Sequence, residues 1–315
     1  MTSTHIKTAG VLPAILLVAC GGGGGGGGGG TGTVSLAITD ASVDGVDQVW
    51  VQFQSIELKP KNGSAITFDF DTPLSVDLKT LTGDNTEVLL NNEEVPAGEY
   101  NWIRLIVNAD FDDVFDSYVM TDVGEQVEIR VPSGELKLVS GFTVVRGGEA
   151  SFVIDWNLRM GLTRPPGQAG YLLKPAHRII DMQDYGGIEG TVDTELITNE
   201  SCTSDMNTGE GNEVYVFAGT GVTPDDVDDV DPEPVTTARV MLNQDSGNYE
   251  YSLPFMAPGP YTVAFTCQAG DDFSPDPTVQ PPPDPAADNA IEFTAGADVT
   301  VVADQTRTVN FSGPT

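Results

Sequence analysis

Apolar and polar residues alternate in short runs along most of this chain, and almost nothing repeats with the spacing of a helix. Val34, Leu36 and Ile38 form one such run; Val49, Val51 and Phe53, then Ile66, Phe68 and Phe70, then Phe152, Ile154, Trp156 and Leu158 form others. Successive side chains of a strand point to opposite faces, so each run predicts a half-buried strand. Between Phe53 and Ile56-Glu57-Leu58 the apolar phase moves from odd to even positions, which predicts a bulge or bend there. Turn signals such as Pro96-Ala97-Gly98, Pro132-Ser133-Gly134 and Gly147-Gly148 leave only strand-length segments between them. The class is all-β, of sandwich or barrel type.

Two stretches share a design. Val95-Pro96-Ala97-Gly98-Glu99-Tyr100 leads into Trp102 to Val107, and Met256-Ala257-Pro258-Gly259-Pro260-Tyr261 leads into Thr262 to Phe265. In each, a turn with proline and glycine opens a strand on an aromatic residue. This predicts two related sandwich domains divided near Gly186-Gly187. Gly32 to Ala41, Val49 to Leu58, Leu138-Val139-Ser140-Gly141-Phe142, Asp155-Trp156-Asn157-Leu158-Arg159 and Gly170 to Pro175 occur in an order that resembles the bacterial domain-of-unknown-function 4382 family. That resemblance covers about Gly32 to Asp184 and implies a domain identity common in lipoproteins, without an activity. Gly187 to Val192, Tyr249 to Pro254 with Gly259 to Val263, and Thr308 to Phe311 are similar to prealbumin-like modules of the carboxypeptidase-regulatory kind, which implies a spacer or recognition domain without catalytic residues.

The N-terminus adds an address. Residues 1–19 carry Lys7, no acidic residue and an apolar run over 11–19, the form of a signal too short to span a bilayer. Leu17-Val18-Ala19-Cys20 resembles the lipobox of bacterial lipoproteins, which implies a lipid on Cys20; Gly21 after it implies the outer membrane, on its periplasmic or cell-surface face. Residues 21–30 are all glycine, a tether that reaches roughly 17 Å as a random coil and at most about 35 Å. The expected fold is therefore two immunoglobulin- or prealbumin-like antiparallel β-sandwich domains, at 33–186 and 187–315, after a signal peptide (1–19) and a lipidated cysteine with its linker (20–32).

Charge narrows the partners. Beyond Lys7 the chain has 13 Lys and Arg (14 less Lys7) against 47 Asp and Glu. Residues 187–315 hold only Arg239 and Arg307 against 23 acidic residues. Such a surface repels nucleic acid and anionic lipid head groups. It suits cations, basic partners or saline water. With Cys20 lipidated, Cys202 and Cys267 remain as a pair, and an exported protein favours one disulfide between them. Closing about 65 residues would contribute roughly 4 kcal/mol on chain-entropy grounds.

Little points to catalysis. His177 is the one histidine after the signal, set in an apolar run from Tyr171 to Ile180 that reads as a strand. Trp50, Trp102 and Trp156 sit in alternating strands and are expected in the core rather than on a sugar-stacking platform. Carboxylates cluster at Asp225, Asp226, Asp228, Asp229 and Asp231, at Asp271, Asp272, Asp276 and Asp284, and at Asp110, Asp112, Asp113 and Asp116. None fits an EF-hand loop; Asp225 to Asp231 are the calcium candidates, with a solvated acidic loop as the other reading. No cofactor is expected beyond that calcium. The function expected is a lipid-anchored, non-catalytic envelope protein for binding, adhesion or spacing, with a polysaccharide, cation or protein as ligand and the acidic loops of the second domain as its surface. The competing expectation is a glycan hydrolase using paired carboxylates.

Overall fold

The alternation of Val34, Leu36 and Ile38 becomes a strand with all three side chains at 0–1% exposure, packed between two sheets. The structure is a computed structural model describing residues 30–138, 141–165, 167–175, 177–228, 230–272 and 291–313. Its first unit comprises β1 (Thr31–Ala41), β2 (Val46–Pro60), β3 (Ile66–Asp77), β4 (Glu87–Pro96), β5 (Gly98–Val107), β6 (Tyr118–Thr121), β7 (Gln126–Arg130), β8 (Glu135–Leu138), β9 (Phe142–Val144), β10 (Glu149–Asn157), β11 (Leu162–Thr163), β12 (Tyr171–Leu173) and β13 (His177–Asp181). A 4-stranded sheet ordered β13-β10-β1-β4 faces a 9-stranded sheet built around β2 and β5. Leu36, Ile38, Phe53, Ile56, Leu105 and Trp156 lie in the core between them.

The phase shift in β2 is a register slip. Between Phe53 and Ser55 the ladder jumps against both β3 and β5, so Phe53 and Ile56 end on the same inner face. Most pairings are antiparallel, but β1 runs parallel to β10 and β12 parallel to β7. Over a hundred residues separate β1 from β10, ample for the crossover that parallel strands need.

Three local expectations change. Trp156 is fully enclosed, but Trp50 and Trp102 are only half-buried. Their inward neighbours are Val49 and Val51 on one strand and Ile103 and Leu105 on the other, so the two-residue period turns both rings outward. There Trp50 stacks on Tyr118 at 6.3 Å between ring centres, and Trp102 lies under the Arg104 guanidinium at 4.4 Å. The run from Tyr171 to Ile180 is not one strand: β12 belongs to the large sheet and β13 to the small one, with Lys174 and Pro175 in the link. Both halves look apolar because each is packed in its own sheet. Leu158 leaves its strand for a single helical turn, α1 (Leu158–Gly161), which starts where Asn157 Oδ1 accepts the Met160 amide at 3.2 Å.

The second unit comprises β14 (Gly186–Val192), β15 (Glu213–Ala218), β16 (Thr236–Arg239), β17 (Met241–Leu242), β18 (Tyr249–Met256), β19 (Gly259–Thr266), β20 (Ala297–Val301) and β21 (Thr306–Thr308). Sheets β17-β18-β14-β21 and β16-β15-β19-β20 enclose Ile188, Val214, Val216, Leu253, Val263 and Phe265, with β14 and β21 parallel. The outer side of β15 is covered too: Tyr215 and Phe217 pack with Val227 and Ala269, and Met160 of α1 reaches onto them from the first unit. Among the described residues no sheet takes strands from both units. Among the described residues no helix is long and apolar enough to cross a membrane.

Candidate functional site

The two units meet through buried charges. Asp44, in the loop between β1 and β2, and Arg159, turned inward by α1, come from the first; Glu213 opens β15 and Arg239 closes β16 in the second. Arg159 Nη2 contacts Asp44 Oδ2 at 2.7 Å and Glu213 Oε1 at 3.5 Å. Arg239 pairs with Asp44 Oδ1 and, through Nε, with Glu213 Oε1 at 3.4 Å. Ser42 Oγ donates to that same Glu213 oxygen at 2.5 Å. The Arg159 side chain is 2% exposed and that of Glu213 0%. Arg159 Nη1 donates to the carbonyls of Ala269 and Asp272 in the turn after β19. Asp272 in turn accepts from the Tyr215 hydroxyl and the Val227 amide.

The two carboxylates respond differently to this burial. Burial pushes the Asp44 carboxyl up, but the fields of Arg159 and Arg239 reverse it, so it titrates below its ordinary value. At Glu213 burial outweighs the same guanidinium groups, Asp44 adds repulsion, and the carboxyl is raised. Geometry explains the contrast: both Asp44 oxygens are engaged by arginine, whereas Glu213 Oε2 has no hydrogen-bond partner among the described residues.

A second tie lies alongside. Arg178 Nε of β13 pairs with Asp155 Oδ2 of β10 at 2.7 Å, and its Nη2 crosses to the Phe255 carbonyl of β18 at 2.9 Å. Thr236 Oγ1 of β16 donates back to Asp155 Oδ2 at 3.1 Å. Between these ties opens a cleft of about 710 Å³ whose walls come from both units. One wall carries Thr39, Asp40 and Thr82; the floor is the outward face of β14, β18 and β21, with Glu189, Thr191, Ser252 and Thr308. Met241 and Leu242 of the edge strand β17 stand beside it, 51% and 38% exposed.

The residues singled out from sequence are distributed elsewhere. Cys202 and Cys267 are joined, with S–S 2.05 Å and Cα–Cα 5.0 Å. Of the calcium candidates, Asp225 and Asp228 are half-buried, Asp226 is buried and Asp231 exposed, while Asp229 lies outside the described residues. The loop is therefore not simply solvated: Val227 is 1% exposed because it packs on Tyr215 and Phe217. Among the described residues no group of three or more His, Cys, Asp and Glu is placed to hold a metal ion. Asp276 and Asp284 fall outside the described residues, as do Cys20 and residues 21–29. In the loop after β5, Glu128 Oε1 accepts the amides of Asp112 and Asp113, and Asp116 accepts from Asn108. His177 pairs with Trp156 in the ladder of β13 and β10. Sequence reasoning missed the charge network. Its signal was Arg239, one of two basic residues among 187–315 and set in a short apolar run, where a lone cation needs an anionic partner.

The family model described as Domain of unknown function (DUF4382) matches residues 31–175, so the chain carries a domain of that family. No curated protein matches the chain. Among solved structures, the Bacillus anthracis TIE protein aligns at 12% identity and TM-score 0.18 over 89% of this chain and 33% of its own, so this chain spans a third of that protein's length. GBS52, the minor pilin of Streptococcus agalactiae, aligns at 12% identity and TM-score 0.18 over 90% of this chain and 98% of its own. A fimbrial protein from Bacteroides ovatus aligns at 8% identity and TM-score 0.19 over 89% and 48%. TM-scores of this size describe no shared arrangement of domains.

Proposed function

We propose that this chain is a non-catalytic recognition protein of the bacterial cell envelope, held by a lipid on Cys20 and binding its ligand in the cleft between its two β units. The observation that carries this reading is the cleft itself, about 710 Å³ and walled by both units, which buried ion pairs tie together. That volume is in the range of small-ligand sites. Glu213, whose carboxyl burial raises, is sealed inside the network and does not line the cleft. The acidic loop around Asp226 supports the interface instead of offering a free surface.

Met241 reports on the cleft. It lines the cleft and is 51% exposed, while Met206, 41% exposed, does not line it. In intact cells peroxide should oxidise Met241 more slowly than Met206, and in the purified mature chain the difference should vanish. Equal rates in both settings would remove the cleft as the binding site. The anchor is tested separately: Cys20→Ser should move the chain from the membrane to the soluble fraction.

A further inference from the structure

We infer that the cleft takes an uncharged carbohydrate; this deepens the reading that the cleft is the binding site and rests on it. The first ground is what its charges are already doing. The two guanidinium groups in its walls are engaged, Arg178 by Asp155 at 2.7 Å and Arg239 by Asp44 and Glu213. Among the described residues that line the cleft no further cation stands ready to receive a carboxylate, sulfate or phosphate, and a chain of net charge −33 repels a polyanion before it arrives.

The second ground is the floor. Register places Glu189 opposite Ser252 on β18 and opposite Thr308 on β21, and Thr191 opposite Glu250. These side chains share the outward face of one sheet, and the facing wall of the first unit adds Thr82. Asn310 Oδ1 accepts both the amide and the hydroxyl of Thr191, at 3.0 and 3.1 Å, which turns its NH₂ group away as a donor. Hydroxyl and carboxamide groups both donate and accept, and Glu189 accepts, whereas Glu250 already accepts from Asn243 and Ser246. A sugar ring, whose hydroxyl groups also do both, can satisfy such a surface from several directions. An ammonium ligand would pair with the carboxylates of the cleft, Glu189 foremost, and leave the Ser252 and Thr308 hydroxyl groups and the Asn310 amide unmatched.

The mature chain in detergent is titrated with neutral glycans (dextran, mannan and laminarin oligosaccharides), with oligogalacturonate as the anionic probe and oligolysine as the cationic one. Saturable binding of a neutral glycan is expected, unaffected by salt and absent for oligogalacturonate. Ser252→Trp, at an exposed floor position, should abolish it without shifting the melting temperature, and Asn310→Ala should weaken it about tenfold. No binding of any neutral glycan overturns the inference, as does binding that survives Ser252→Trp. Binding of oligolysine alone, lost with Glu189→Gln, also overturns it while leaving the cleft as the site. Protection of Met241 in cells without any glycan binding separates a wrong ligand class from a wrong site.

Discussion

Arg239 and Asp44 form an ion pair across the boundary between the two β units although 195 residues separate them in the chain. The pair is not an exposed decoration, since Arg159 shares Asp44 and Glu213 shares both arginines. Two cations and two anions balance in a largely buried volume, and removing one member leaves an uncompensated charge.

Arg239→Ala is therefore expected to destabilise the chain by about 3–5 kcal/mol. The loss should be accompanied by separation of the units, read as faster proteolysis in the connecting residues 182–185 and a larger radius by small-angle scattering. Arg307→Ala is the control, because Arg307 only donates to the Thr300 carbonyl at an exposed site. Equal effects of the two substitutions would show that the network contributes nothing to the union.

The disulfide acts on the same junction from the far side. Thr203, next to Cys202, donates its amide to the Cys267 carbonyl and its hydroxyl to Asp271, and the following turn offers Arg159 the carbonyls of Ala269 and Asp272. Cys202→Ser with Cys267→Ser should cost roughly 4 kcal/mol. In calorimetry this should lower the transition of the second unit by about 10 °C or more. It should also speed proteolysis at the junction, which a disulfide confined to its own loop would leave unchanged.

How far the sequence could be read follows from the range of the interactions. Val34, Leu36, Ile38 and the slip after Phe53 were legible because period-two burial is written in neighbouring residues. The parallel pairing of β1 with β10 was not, since it is settled by partners over a hundred residues away. Nor was the site: in a chain with 47 acidic residues nothing local distinguishes Asp44 or Glu213 from carboxylates in water. The acidic stretch at Asp225 drew attention by density, yet its buried member Asp226 sits beside Val227, which shares a cluster with Ala269 and Met160, 42 and 67 residues away in the chain.

The tryptophans separate core from face experimentally. Trp156→Ala should cost about 3–5 kcal/mol by opening a cavity between the sheets of the first unit. Trp102→Ala removes a half-buried ring whose neighbours are Arg104 and Lys137, and should cost nearer 1 kcal/mol. Denaturant midpoints of the two variants, compared at equal slope, test the order. Equal losses would place Trp102 in the core after all.

Acid should first strengthen and then weaken this protein. A carboxyl raised on folding, as at Glu213, binds its proton more readily in the folded chain, so stability rises as pH falls through the raised value toward 4.5. A carboxyl lowered on folding, as at Asp44, stabilises above 3.8, and that contribution is lost as pH falls further. Relief of self-repulsion in a chain of net charge −33 adds to the first limb. Melting temperature should therefore climb from neutral pH to a maximum between pH 4 and 5 and drop below it. Glu213→Gln should flatten the climb, because a neutral amide takes no proton, and leave the acid drop in place. Asp44→Asn should do the reverse. A profile that falls steadily from pH 7 in the unsubstituted chain would show that neither burial at Glu213 nor the acidic surface governs its stability.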